Sequence, residues 1–292
     1  RGAKSSYDFE FFGLSHEDRA MIYAAVLAFA AAALFAWFCL RFAWWAKDQS
    51  YEYPRVLMYH MIREHLPKHA SKFNRLRVTP AAFEKQLAWL KRNGFTSYTL
   101  SELTSLDKKP AKAVCITFDD GYRDNLANAL SLLQKYDFKA TIFIVNRRFD
   151  GNWATDKDLK KSSDELNREQ MLSDDEVREL LRSGLIEIGS HTLDHANLPS
   201  LDAAEQLRQM SESKREIEAK FDICCSAFAY PFGFYDEISV RCVREAGFSC
   251  AVTTQNDVLR PHYSNFEIPR IMVSGRQGLF SFILKMKKGR NR

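Results

Sequence analysis

The chain reads as an α/β protein built on a parallel sheet of about seven units, preceded by one N-terminal transmembrane helix. Two observations predict this. From residue 55 to residue 273, short apolar runs alternate with amphipathic helical segments, and strands separated by helices pair in parallel through right-handed crossovers. Closed into a ring, about seven such units make a (β/α) barrel. Ahead of them, residues 20–40 form a run of 21 positions without a charge, which at ~1.5 Å per residue is ~31 Å, enough to span a bilayer.

The anchor comes first. It is Ala-rich, with Trp37, Trp44 and Trp45 near one end, where indoles favour the membrane interface. A cleaved signal peptide is the competing reading, but its apolar core is typically shorter and no Ala-x-Ala-like site precedes Lys47-Asp48. Arg1, Lys4 and Arg19 on one side face Arg41 and Lys47 on the other, so charge alone sets no orientation. The chain opens on Arg1 rather than Met, which leaves room for an earlier native start. The expected organisation is a tail over 1–19, an anchor over 20–46, a linker over 47–54, a barrel over 55–280 and a basic tail over 281–292.

Residues 55–60 read as the first strand. Thr79-Pro80 then opens a helix to Arg92, with Pro at its first position, Gly94 past its end, and Phe83, Leu87 and Leu90 on one face. Strand 113–120, helix 124–136 and strand 140–145 follow. Residues 146–172 lack periodicity and are expected to form a loop or lid. Ser173-x-x-Glu176 is a capping box, and Gly184 ends its helix. Strand 186–190, a charged helix over 202–220, strand 227–230, helix 237–246, strand 249–253 and a last strand over 267–273 complete the alternation.

With 46% hydrophobic and 27% charged residues, the 292-residue chain has the composition of a globular enzyme of one large domain or two small ones. A formal net charge of +5 is too mild to indicate nucleic acid, and no basic stripe is interleaved with stacking aromatics. Charge gathers in Lys285, Lys287, Lys288, Arg290 and Arg292; a solvated tail is preferred here over binding to anionic lipid or polymer. Six cysteines make no disulfide framework in a chain of this size. Cys39 and Cys115 fit as small packed hydrophobes, while Cys224, Cys225, Cys242 and Cys250 leave a bridge open.

The chemistry concentrates at strand ends. Asp119-Asp120-Gly121 closes the apolar run from Ala113, and His191-x-x-x-His195 follows the run Ile186-Glu187-Ile188-Gly189. A divalent metal needs ligands that converge from separate elements while one position stays open for water. One Asp and two His supply three ligands, and the neighbouring Asp can act as a base. Candidate residues also follow the first strand (His60) and the fifth (Tyr230-Pro231-Phe232), so all obey the rule that barrel chemistry sits at the C-terminal ends of strands.

These two motifs, with Val56-Leu57-Met58-Tyr59-His60 and Phe228-Ala229-Tyr230-Pro231-Phe232-Gly233, resemble the polysaccharide deacetylases of carbohydrate esterase family four, the NodB-homology domains. The likeness runs from about Pro54 to Gly275, with four motifs in the family's order. It implies a deformed, incomplete barrel. It also implies that Asp120, His191 and His195 hold one divalent metal; zinc suits the O,N,N set, and nickel and cobalt fit the same ligand types. By the same resemblance Asp119 is the general base and the Phe232 backbone N–H stabilises the oxyanion. The chain departs from the common pattern twice. The motif Arg that tethers the catalytic Asp is Ala229 here, and Arg270 is the candidate replacement. The late Leu-x-Leu-His motif that supplies a general acid is missing, His262 is a poor match for it, and His60 is the candidate. Tyr122, Tyr230, Pro231, Trp153 and Tyr235 are candidates for substrate contact, with sugar stacking expected of the aromatics near the motifs.

These departures are most similar to the poly-N-acetylglucosamine branch. The expected function is removal of N-acetyl groups from an extracellular or envelope polysaccharide, by a single-pass protein of the bacterial inner membrane whose catalytic domain faces the periplasm. Alternatives are a deacetylase or deformylase of peptidoglycan, chitin oligomers or a lipid-linked sugar, and, from another class, a non-catalytic glycan-binding module or an assembly subunit that pairs with a polysaccharide synthase or export complex.

Overall fold

A computed structural model describes residues 15–42, 45–67, 69–147 and 164–289. It divides into two compact units, the first over residues 1–46 and the second over Lys47–Asn291.

In the first unit, α1 (His16–Phe42) begins before the apolar run. Ser15 caps it: the Asp18 N–H donates to Ser15 Oγ at 3.1 Å and the Ser15 N–H to Asp18 Oδ2 at 3.1 Å. Glu17 and Asp18 lie in the first turn, where the helix dipole favours negative charge. The helix is long and apolar enough to cross a membrane by length and composition. Its large side chains are exposed, Phe29 to 77%.

The second unit holds ten strands among the described residues. They are β1 (Arg55–Tyr59), β2 (Met61–Ile62), β3 (Arg77–Val78), β4 (Thr96–Ser97), β5 (Ala113–Phe118), β6 (Ala140–Ile144), β7 (Ile186–Ser190), β8 (Ala227–Ala229), β9 (Cys250–Val252) and β10 (Ile271–Met272). Seven are ordered β10-β1-β5-β6-β7-β8-β9, every pairing parallel, while β4 pairs with the start of β5 and β2 with β3. The stretch before β10 bonds to β9 (Ile268 N–H to Ala251 O, 3.0 Å; Thr253 N–H to Ile268 O, 2.9 Å). One segment therefore touches both edges of the sheet, and a half-barrel of seven parallel strands closes into a deformed barrel. Strands buried on both faces read as continuous apolar runs rather than alternating ones, as β1, β5 and β6 do.

Helices pack outside: α2 (Pro80–Arg92), α3 (Leu100–Ser105), α4 (Ser131–Tyr136), α5 (Asp164–Asn167), α6 (Asp174–Arg182), α7 (Ala203–Phe221), α8 (Glu237–Glu245) and α9 (Leu279–Lys288). The Thr79 cap on α2 and the Ser173 capping box on α6 form as the sequence predicts. Three expectations change. The helix over 124–136 begins as a π-turn at Asn125–Leu130, in which the side chains of Asn125 and Asn128 donate to the carbonyls of His60 and Ile62. The last strand shrinks to two residues, since residues 265–270 serve the bridge to β9. The third concerns the expected basic tail, whose residues 281–288 lie in α9, where Phe282, Lys285 and Met286 are buried.

The physical reason for α9 is local docking. Phe282 meets Trp89 of α2 edge-on, with centroids 6.0 Å apart. Lys285 Nζ donates to Met272 O at 2.7 Å. The linker docks too: the Gln49 N–H donates to Lys287 O at 2.8 Å. Buried Arg55 donates to the carbonyls of Gln49, Ser50, Tyr53 and Met286. Burial lowers the Arg55 pKa to about 10, so it stays charged. Cys115, Cys225, Cys242 and Cys250 form no disulfide and are packed as small buried groups.

Candidate metal centre and active site

β5 delivers the two aspartates into the mouth of the barrel. The Asp119 N–H donates to Tyr59 O at 3.1 Å, extending the ladder with β1. Asp120 then takes φ 75 and Gly121 φ 79, a reversal that sends consecutive carboxylates to different partners. Asp119 is gripped by Arg270: Nη1 to Oδ1 at 2.7 Å and Nη2 to Oδ2 at 2.8 Å. The guanidinium is itself held by Thr253 O on Nε at 2.8 Å and Thr117 Oγ1 on Nη1 at 3.1 Å. Arg270 precedes Ile271, which is level with Leu57 in β1, so it reaches the site from inside the barrel rather than from a strand's C-terminal end.

β7 delivers the histidines. Gly189 is required there, because a Cβ would stand 2.6 Å from the Phe143 ring and 2.8 Å from Ala227 O. The His191 N–H donates to Ile144 O at 2.9 Å, and its Nδ1 lies 2.8 Å from Ala229 O. A carbonyl only accepts, so Nδ1 carries the proton and Nε2 is left with a lone pair for a metal. Thr192 (φ 68) and His195 (φ 56) turn the loop back. Gln209 of α7 holds that loop: its Oε1 accepts from the N–H groups of Leu193 and Asp194, and its Nε2 donates to Asp194 Oδ2. As a result His191 Nε2 and His195 Nε2 stand 3.5 and 3.4 Å from Asp120 Oδ1. Asp120, His191 and His195 offer three ligand atoms within 4.8 Å of one another, all buried. Two nitrogens and one oxygen at that spacing fit a single divalent ion.

β8 leads into a 3-10 turn, Pro231–Gly233. Phe232 adopts φ 60, and its ring meets His195 edge-on at 4.5 Å. The turn's bonds run from Gly233 N–H to Tyr230 O and from Phe234 N–H to Pro231 O, which does not engage the Phe232 N–H.

Charge balance follows from burial and neighbours. Burial alone would raise Asp119, but Arg270, with His191 and His60, outweighs it and holds the carboxyl below its usual range. Burial likewise opposes ionisation of Asp120; the hydrogen bond from His191 and the charges of His60 and His195 hold it well below that range. Burial would lower His191, yet Asp120 and Asp119 raise it above the ordinary imidazole value. His60 is half-buried just past β1, and its charge is among the causes that lower both aspartates.

The sugar-contact candidates fare differently. Tyr122 is 1% exposed and packs with Met61 and Leu166, so it presents no face for stacking. Tyr230 is buried, its hydroxyl donates to Phe266 O at 3.1 Å, and its ring stacks on Tyr235 at 4.9 Å. Pro231 is buried in the turn. Trp153 lies outside the described residues. An aromatic not among the candidates, Phe234, is 37% exposed and tilted against Phe232 at 5.9 Å. Its signal was the aromatic run Phe232-Gly233-Phe234-Tyr235.

A parallel barrel with a buried carboxylate-imidazole-imidazole set beside an Arg-held carboxylate offers the equipment that metal-assisted hydrolysis uses. The family model for polysaccharide deacetylase matches residues 107–251. The chain is 31% identical over 234 residues to the Bacillus subtilis (strain 168) protein YxkH, itself named only provisionally as a polysaccharide deacetylase, covering 79% of this chain and 75% of that one. It is 26% identical over 208 residues to the poly-beta-1,6-N-acetyl-D-glucosamine N-deacetylase of Staphylococcus aureus (strain MRSA252), covering 68% of each. The crystal structure of BC0361, a polysaccharide deacetylase from Bacillus cereus, superposes with a TM-score of 0.66 at 26% identity, over 82% of this chain and 70% of that one. The chain belongs to the polysaccharide deacetylase family, whose carbohydrate esterase members are metal-dependent.

Proposed function

We propose that the protein removes N-acetyl groups from amino-sugar residues of an envelope or extracellular polysaccharide of the poly-N-acetylglucosamine kind. The observation that carries this reading is the Asp120–His191–His195 donor set standing beside an aspartate forked by Arg270. The likeness to the Staphylococcus aureus enzyme supports the choice of polymer.

Asp120, His191 and His195 would hold the ion, for which zinc suits the ligand set and nickel and cobalt remain chemically compatible. Its chemistry there would be to polarise an amide carbonyl and to lower the pKa of water toward neutrality. That is what lets a carboxylate as acidic as Asp119 serve as base: it takes one proton from the attacking water while Arg270 holds its orientation. Attack at the acetyl carbon gives a tetrahedral oxyanion, to which the Phe232 N–H donates. As the C–N bond breaks, His60 gives a proton to the departing amine, leaving acetate and a free amino group. Phe234, at the rim, offers a ring face for a pyranose.

The exposed apolar surface of α1 supports anchoring in a membrane; a polymer made outside the cell would put that membrane at the bacterial cytoplasm's edge and the catalytic unit outside. There a synthase or export complex would deliver polymer. Purified protein, stripped of metal and reloaded with zinc, is expected to release acetate from oligomers of β-1,6-linked N-acetylglucosamine faster than from chitin oligomers or peptidoglycan fragments. Equal or greater release from the latter two would overturn the polymer assignment, and zinc-independent release would overturn the mechanism.

A further inference from the structure

We propose that Ser213 and Asn146 are positioning residues of the metal centre, joined with Ser190 in a directed chain of hydrogen bonds. The chain holds Thr192 in its left-handed conformation and so sets the spacing of the two imidazoles. The inference rests on the reading of Asp120, His191 and His195 as metal ligands.

That spacing turns on Thr192. The residue follows His191 directly, is fully buried and has φ 68. A β-branched side chain rarely accepts such a backbone, and strain of this kind persists only where neighbours over-determine it. With the turn in place, the rings of His191 and His195 stand 4.8 Å apart, and both Nε2 atoms face Asp120 Oδ1. Relaxing Thr192 to negative φ would swing the following residues, His195 among them, away from that oxygen.

Both backbone groups of Thr192 end in one polar network. Its N–H donates to Ser190 Oγ at 3.3 Å, and its carbonyl accepts from the Asn146 N–H at 3.3 Å. Ser190 Oγ lies 2.6 Å from Ser213 Oγ, and Ser213 Oγ donates to Asn146 Oδ1 at 2.6 Å. The Asn146 amide is oriented by its other end. Its Nδ2 donates to Ser213 O at 3.2 Å and to Glu216 Oε2 at 2.8 Å, a carbonyl and a carboxylate that only accept. A hydroxyl has a single proton to give. The Ser213 proton goes to Asn146, so the Ser190 proton goes to Ser213, and a Ser190 lone pair is left for Thr192.

The chain has a mechanical consequence. Ser190 and Ser213 are fully buried, and linked hydrogen bonds strengthen one another in a low-dielectric interior. Ser213 lies one turn along α7 from Gln209, which holds Leu193 and Asp194, so one helix face supports the histidine loop. Asn146 and Arg147, just past β6, close it from the other side, the Arg147 N–H donating to Leu193 O at 2.9 Å. Supporting hydrogen bonds around metal ligands contribute roughly 10–100-fold in metal affinity.

The test is a double-mutant cycle in zinc affinity, measured on the whole chain by competition with a chromophoric chelator. Ser213→Ala and Asn146→Ala are each expected to bind zinc roughly 10-fold or more weakly than wild type. Because both break the same chain, the double variant should lose little beyond either single one. Cobalt(II), whose visible bands report ligand geometry, should give a shifted spectrum in all three. Should Ser213→Ala fail to fold, the zinc affinity and cobalt spectrum of Asn146→Ala decide alone. Wild-type affinity in the variants, an unshifted cobalt spectrum, or losses that add in the double variant would overturn the positioning role and leave the metal-centre reading standing. A wild-type chain that takes up neither ion would overturn both.

Discussion

Of the two adjacent aspartates, Asp119 depends on a counter-charge that arrives from 151 positions further along the chain. Burial alone would neutralise it, and Arg270 prevents this. Arg270→Met is therefore expected to raise the Asp119 pKa and to destabilise the fold by ~3–5 kcal/mol, the cost of stranding a buried charge. Activity should fall most at neutral pH and recover partly as pH rises and Asp119 reionises. Arg270→Lys keeps the charge but not the fork and should fall between the two. A variant whose pH–rate profile has the wild-type shape would show that the pair does not set the base. In wild type the sign runs the other way. Asp119 has a depressed folded pKa, so its stabilising contribution is complete above the unfolded value of about 3.9 and disappears as pH falls through the folded one. The raised His191 protonates first on acidification, so metal uptake measured against pH should fail well before Asp119 is neutralised. His60 is tested by leaving-group chemistry. His60→Ala should slow amide cleavage by roughly 10²-fold or more, and hydrolysis of an activated ester much less. Equal losses would make His60 a structural residue.

At the scale of elements, the site is made by turns that strain the backbone. Among the described residues seven non-glycine positions have positive φ, and four of them, Asp120, Thr192, His195 and Phe232, are in the site; two others, Asp137 and Asp222, merely cap helices. Such strain persists only where surrounding contacts over-determine it. Gly233 shows how tightly this holds: at φ 73, an added Cβ would fall 2.0 Å from Thr254 Oγ1. Gln209 shows the same for the histidine loop, tying two N–H groups and Asp194 to α7. Gln209→Ala is expected to leave α7 helical but to weaken zinc binding by roughly 10-fold, as losses of supporting hydrogen bonds around metal ligands do. Wild-type affinity in this variant, measured by chelator competition, would mean the loop holds its shape unaided.

At the scale of the whole molecule, the catalytic unit begins earlier than its first strand. Arg55 collects the carbonyls of Gln49, Ser50 and Tyr53 together with Met286 of α9, so the linker belongs to the fold. A chain starting at Lys47 is expected to fold as a soluble domain with full acetate release on oligomers. One starting at Pro54 strands the guanidinium and should lose ~3 kcal/mol or more, lowering the melting temperature by about 6–12 °C. Identical melting of the two chains would show that the linker contributes nothing.

Periodicity and residue type alone predicted the seven strands of the main sheet, the caps of α2 and α6 and the apolar helix, because these depend on local backbone preference and on a repeating need to bury one face. The Asp-Asp and His-x-x-x-His motifs were legible for the same reason: each lies on one short segment at a strand end. The tertiary structure decided what depends on distant partners. It brought Arg270 beneath Asp119, folded the basic C-terminal segment into α9, and bound the linker to Arg55. It also turned Tyr122 and Tyr230 inward while leaving Phe234 at the mouth. In a tightly curved turn, which neighbour faces the core is set by positive-φ geometry and by the shape of the space behind it, and no sequence pattern of short range records either.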